Sequence, residues 1–114
     1  MPKTFLFPTI LWALVILALS LMPGKDLPSI DIDYIDKIGH AVVYGILAYL
    51  IYGTGVSFKI RTPILVAIII PICYGILIEL LQDYLSEDRF ADIYDAIANA
   101  FGAIFVGMIQ ILRR

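Results

Sequence analysis

The chain has a single cysteine, Cys73, so no disulfide can form within it. Cys73 sits in an apolar run and reads as a buried, inert thiol. There is no CxxC pair, and the lone histidine, His40, excludes a zinc-finger type of cluster. Positive charge is not in excess. Eight Lys and Arg stand against ten Asp and Glu, for a net charge of -2, which removes the electrostatic basis for nucleic-acid binding. Neither GxSxG nor HExxH occurs, so no ready-made nucleophile or metalloprotease motif is available. Internal repeats and low-complexity tracts are absent as well. At 114 residues there is room for one compact unit, 1–114, and no second domain.

What the chain has in plenty is apolar surface. Hydrophobic residues make up 61% and mean hydropathy is +0.95, against about 45–50% apolar in soluble domains. The expected class is therefore an all-α integral membrane protein built as a four-helix bundle. The spans fall roughly at 5–22, 36–52, 64–85 and 92–112. The first, FLFPTILWALVILALSLM, carries no charge and is long enough to cross a bilayer. A cleaved leader is the competing reading, but the apolar run exceeds a usual leader core, so a retained helix is expected. Pro23 and Pro28 break the chain after it, and Asp31 and Asp33 are candidate caps for the next helix. Gly53-Thr54-Gly55 reads as the second stop signal. Pro63 suits a first helical position, and Pro71 should kink the third run.

Four spans put both termini on one side. That side holds Lys3, Lys59, Arg61, Arg113 and Arg114, while the other holds Lys25, Lys37, Arg89 and all ten acids. The excess of basic residues places the termini in the cytoplasm. The acids are not confined to loops. Gly75, Glu79, Gln82 and Ser86 follow at steps of four, three and four, which is one helical face. Asp92, Asp95, Asn99 and Gly102 share another, and Asp36, His40 and Tyr44 a third. Helical rise puts His40 about 6 Å, Glu79 about 9 Å and Asn99 about 10 Å inside the outer helix ends. Ionisable groups at membrane depth are costly and mark functional candidates. The expected site is a shallow, outward-facing polar pocket between the second, third and fourth helices. Its lining would be Asp36, His40, Tyr44, Glu79, Gln82, Arg89, Asp92, Asp95 and Asn99.

Four readings of that cluster stand side by side. The plainest is structural: Asp92 and Asp95 cap a helix, Asp36 pairs with Lys37 or His40, and Glu79 bonds Asn99 or Arg89. Asp31, Asp33, Glu87 and Asp88 fit solvated loops. A second is catalysis, a membrane hydrolase of an envelope lipid or peptide in which His40 works as acid or base and Glu79 partners it. A third is a divalent metal held by His40, Glu79, Asp92 and Asp95, although no cofactor is required by any motif. The fourth is binding or transport. An acidic pocket suits a cationic ligand and Arg89 a phosphate, and a translocation path would call for a homo-oligomer.

The motifs resemble those of the VanZ-like family. The matching pieces are Asp36-Lys37-Ile38-Gly39-His40, then Tyr74-Gly75 with Glu79-Leu80-Leu81-Gln82, then Arg89, and finally Asp92, Asp95, Asn99 and Gly102 in DIYDAIANAFG. They run in order from about Leu21 to Gly107. The resemblance implies an integral membrane protein of the bacterial envelope; the expected placement is multi-pass in the cytoplasmic membrane, with the pocket engaging membrane lipid, a cell-wall precursor or a glycopeptide. It further implies an association of some members with lowered susceptibility to teicoplanin, and it supplies no established reaction.

Overall fold

The computed structural model describes residues 5–22, 33–85 and 92–113. Four α-helices run in order: α1 Leu6–Leu21, α2 Asp33–Ser57, α3 Pro63–Leu85 and α4 Ile93–Leu112. No strand occurs among the described residues. Arg89 and the acids Asp31, Glu87 and Asp88 lie outside that description, as does the side chain of Asp33.

Helices α2, α3 and α4 pack pairwise against one another, and α1 leans on α2 and α3 without reaching α4. The bundle measures 42 × 25 × 21 Å. Its polarity is that of a membrane protein. Buried positions hold small or polar residues such as Ala48, Ala67, Gly75, Gly102, Asn99 and Gln82, whereas Phe7, Leu80, Phe101 and Leu112 are exposed. Lipid gives apolar side chains no reason to hide, so helix contacts are built from residues that let backbones approach. At Gly102 the approach is closest: a Cβ there would collide with the Ala41 carbonyl of α2.

Three helices are long and apolar enough to cross a membrane, over Ile35–Ser57, Pro63–Leu85 and Ile93–Leu112. The apolar helix α1 has 16 residues and spans about 24 Å, short of the roughly 30 Å hydrocarbon layer. Hydrogen bonds fasten it along its length. Thr9 Oγ1 meets Thr54 Oγ1 at 2.9 Å, and Trp12 Nε1 donates to the Val43 carbonyl at 3.0 Å. Tyr74 donates through its hydroxyl to the Ala13 carbonyl.

Helix α2 does not stop at Gly53-Thr54-Gly55 but runs on to Ser57. Packing overrides the breaker signal. Gly55 is buried against Pro63, Phe5 covers Gly53, and Thr54 bonds back to the Leu50 carbonyl. Helix α3 likewise continues through Pro71, which is buried with Ala67 and Gly75 on the inward face. Cys73 is exposed on the apolar exterior, not buried, because the inward face of its turn is taken by Pro71 and Gly75.

Candidate functional site

One end of the bundle gathers the polar side chains of three helices. On α2, successive positions 36, 37 and 40 fall within a little over one turn. On α4, Asp92 opens the helix and Asp95 and Asn99 follow on its inward side. On α3, Glu79 is one turn beyond Gly75, and both are buried.

Lys37 is the hub. Its Nζ lies 2.5 Å from Asp95 Oδ1, 2.9 Å from Asp92 Oδ2 and 3.3 Å from Asp36 Oδ2. The imidazole of His40 sits beside it. Nδ1 faces Asn99 Oδ1 at 3.0 Å. Nε2 then faces Asp95 Oδ1 at 3.5 Å and Asp36 Oδ2 at 3.9 Å. Asn99 is itself 2% exposed, and it fits because position 75 is glycine. A Cβ at Gly75 would stand 2.9 Å from Asn99 Nδ2 and 3.1 Å from the Tyr44 ring.

Glu79, 5% exposed, is placed differently from the expectation that it partners His40. Its Oε1 accepts the backbone N–H of Asp92 at 3.0 Å. That N–H belongs to the N-cap of α4, where a residue three positions into the same helix usually supplies the acceptor. Here the neighbouring helix supplies it, so Glu79 locks the entry of α4 to α3. Asp92 completes the cap by accepting from Tyr94 N at 2.9 Å through Oδ1, leaving Oδ2 for Lys37. The Lys37 bond, with the two backbone N–H bonds, holds the Asp92 carboxyl below its usual range despite some burial.

Of the nine expected pocket residues, the structure brings Asp36, His40, Asp92, Asp95 and Asn99 into one bonded network with Lys37. Glu79 joins through Asp92. Tyr44 lies beneath, its hydroxyl buried and without a hydrogen-bond partner among the described residues. Gln82 turns elsewhere: its Nε2 donates to the Ser20 carbonyl at 2.7 Å, capping the C-terminus of α1. Lys37, expected only as a partner for Asp36 and not as part of the pocket, is also its centre. Its signal was the spacing 37, 41, 44, 48, the α2 face that runs from half-buried to buried.

For metal ligation the grouping is narrower than expected. Ligand atoms of Asp36, His40 and Asp95 lie within 4.8 Å of one another, and neither Glu79 nor Asp92 belongs to the set. Lys37 already bonds two of the three, so an ion there has to displace the ammonium. Two cavities lie elsewhere. One of about 440 Å³ lies over the α2–α4 crossing at Gly45 and Gly102, and one of about 360 Å³ lies at the opposite end near Gln110.

No curated protein and no solved structure matches the chain. The family model described as VanZ/LLP1 matches residues 4–114, essentially the whole length. With its membrane-length helices in place, the chain belongs to the VanZ/LLP1 family of membrane proteins.

Proposed function

We propose that the Lys37–His40 end of the bundle engages the polar head of an envelope amphiphile: a lipid, a peptidoglycan precursor or a glycopeptide. The protein would sit as a multi-pass component of the bacterial cytoplasmic membrane, with both termini in the cytoplasm and this end outward. In members that meet the drug, such engagement lowers teicoplanin susceptibility. The observation carrying this reading is the convergence of Asp36, Lys37, His40, Asp95 and Asn99 from two helices onto a few ångströms. Three carboxylates, Asp36, Asp92 and Asp95, surround one lysine with one histidine beside it. That surplus of negative charge favours a ligand bearing an ammonium group, with Lys37 left to take an anionic partner if it swings away.

A divalent ion on Asp36, His40 and Asp95 is a second reading, supported by their mutual spacing. It would make the site a metal-assisted one and lend weight to hydrolysis over simple binding. Both readings are tested together. Purified protein is incubated with an envelope lipid extract, with and without a chelator, and the lipids are read by mass spectrometry. Co-purifying, unaltered lipid that is lost in His40→Ala supports engagement. Chelator-sensitive turnover supports the hydrolase. If wild type, His40→Ala and Glu79→Gln carry the same lipids at the same level, neither reading stands.

A further inference from the structure

The opposite end of the bundle holds a second, unassigned site. A cavity of about 360 Å³ opens there between the ends of α2 and α4, within the 300–1,000 Å³ range of small-molecule sites. Gln110 is 5% exposed, lines this cavity, and makes no side-chain hydrogen bond to another described residue. The residue is enclosed by the bundle while its amide borders the cavity, so the amide is free to bond a polar group placed there. One turn further on, the exposed Arg113 lines the same space, without an ion-pair partner among the described residues.

The field at this end has one sign. Lys59, Arg61 and Arg113 are its charged residues among those described, and the described carboxylates all lie towards the other end. The distance from Asp95 to Gln110 along α4 is about 22 Å, so the acidic cluster and this cavity stand at separate ends of the helix. The remaining walls are amphipathic. Tyr52 lines one side, and Phe5 stacks edge-on against Tyr49 with ring centroids 6.0 Å apart. Aromatic rings of this type sit at the level of lipid headgroups.

We propose that Gln110 and Arg113 form a binding site for a phosphate ester, with the Phe5–Tyr49 pair and Tyr52 packing on the group that carries it. The guanidinium supplies charge-assisted bonds to the phosphate oxygens, and the Gln110 amide donates one more. Two sources share this chemistry, an anionic phospholipid headgroup and a free phosphate anion.

The test uses the purified full chain in detergent, with native mass spectrometry as the readout. Short-chain phosphatidylglycerol, short-chain phosphatidylcholine and inorganic phosphate are titrated separately. The expected result is retention of phosphatidylglycerol over phosphatidylcholine, weakened about tenfold or more in Arg113→Gln. Gln110→Leu also weakens it, yet leaves thermal stability equal or higher, because no internal bond is lost. Lys59→Gln/Arg61→Gln retains the lipid as wild type does. Competition by inorganic phosphate, with no preference between the two lipids, assigns the site to the soluble anion. The proposal is overturned if Arg113→Gln and Gln110→Leu bind all three probes as wild type does. It is equally overturned if the Lys59/Arg61 variant loses as much as Arg113→Gln, since a diffuse surface charge then explains the binding.

Discussion

Lys37 Nζ and Asp95 Oδ1 stand 2.5 Å apart across the α2–α4 interface, joining residues 58 positions apart in sequence. The same ammonium bonds Asp92 and Asp36, so one cation serves three carboxylates. Removing it leaves like charges facing one another. Lys37→Met is expected to cost about 1–3 kcal/mol, below the figure for a fully buried pair because Lys37 keeps some solvent contact. Lys37→Met/Asp95→Asn should recover part of that loss. A double-mutant cycle of thermal unfolding in detergent measures it, and strict additivity would remove Lys37 from its role as hub.

The Gly75–Asn99 contact gives a steric prediction. Gly75→Ala puts a methyl 2.9 Å from Asn99 Nδ2 and 3.1 Å from the Tyr44 ring, so two buried side chains have to shift. Overpacking of this kind costs about 1–3 kcal/mol. The displaced amide also loses its bond to His40. Gly75→Ala should therefore weaken ligand retention as Asn99→Ala does, whereas Gly75→Ala in an Asn99→Ala background should cost less stability than alone. Equal cost in both backgrounds would show that the amide is not what the methyl meets.

Acid should open this end of the bundle before the rest. The Asp92 carboxyl is held below its ordinary value, chiefly by Lys37. A lowered pKa means the native state favours the charged form. Its contribution is complete above the unfolded-state value and is lost as pH falls through the native one. Stability should fall at the low edge of the carboxylate range, and Asp92→Asn should flatten that part of the profile. Melting curves from pH 6 down to about pH 3 test it. A profile unchanged by Asp92→Asn rules out the Lys37–Asp92 bond as the cause.

Much of this arrangement was legible because polar residues stand out against an apolar background at helical period. The faces Asp36–His40 and Asp95–Asn99 needed only steps of three and four, and they do meet. Registers between helices were not legible. Nothing local says that Lys37 reaches across to Asp92 and Asp95, or that Gln82, on the same face as Glu79, turns to α1 instead. The stop signal at Gly53-Thr54-Gly55 failed for a similar reason. Glycine weakens a helix by only about 1 kcal/mol per residue, and tertiary packing easily exceeds that. Arg113 and Gln110 read as the tail of a span until the fold set them beside Tyr52 and Phe5.

Gln82 offers a way to separate bundle integrity from the charged network. Its bond to the Ser20 carbonyl fastens the end of α1 to α3. Gln82→Leu removes that cap and should cost about 1–2 kcal/mol. The damage should be confined to α1, since the Lys37 and His40 contacts involve α2 and α4 alone. Hydrogen exchange should rise in Leu14–Leu21 while Asp95–Asn99 stays protected. Loss of protection in both would mean that α1 carries more of the fold than its peripheral packing indicates.

Orientation is the step on which the outward placement of the Lys37–His40 end depends. The acids crowd one end, and Lys59, Arg61 and Arg113 mark the other. Basic residues are held on the cytoplasmic side during insertion, so the acidic end should face out. Tyr84 is highly exposed near that end, and Lys59 is exposed near the other. In a Cys73→Ala background, Tyr84→Cys should react with a membrane-impermeant maleimide added to intact cells. Lys59→Cys should react only after the cells are opened. The reverse pattern would turn the acidic cluster toward the cytoplasm, where peptidoglycan on the outer face and an external glycopeptide could not reach it, and would leave cytoplasmic-leaflet lipid as the ligand to pursue.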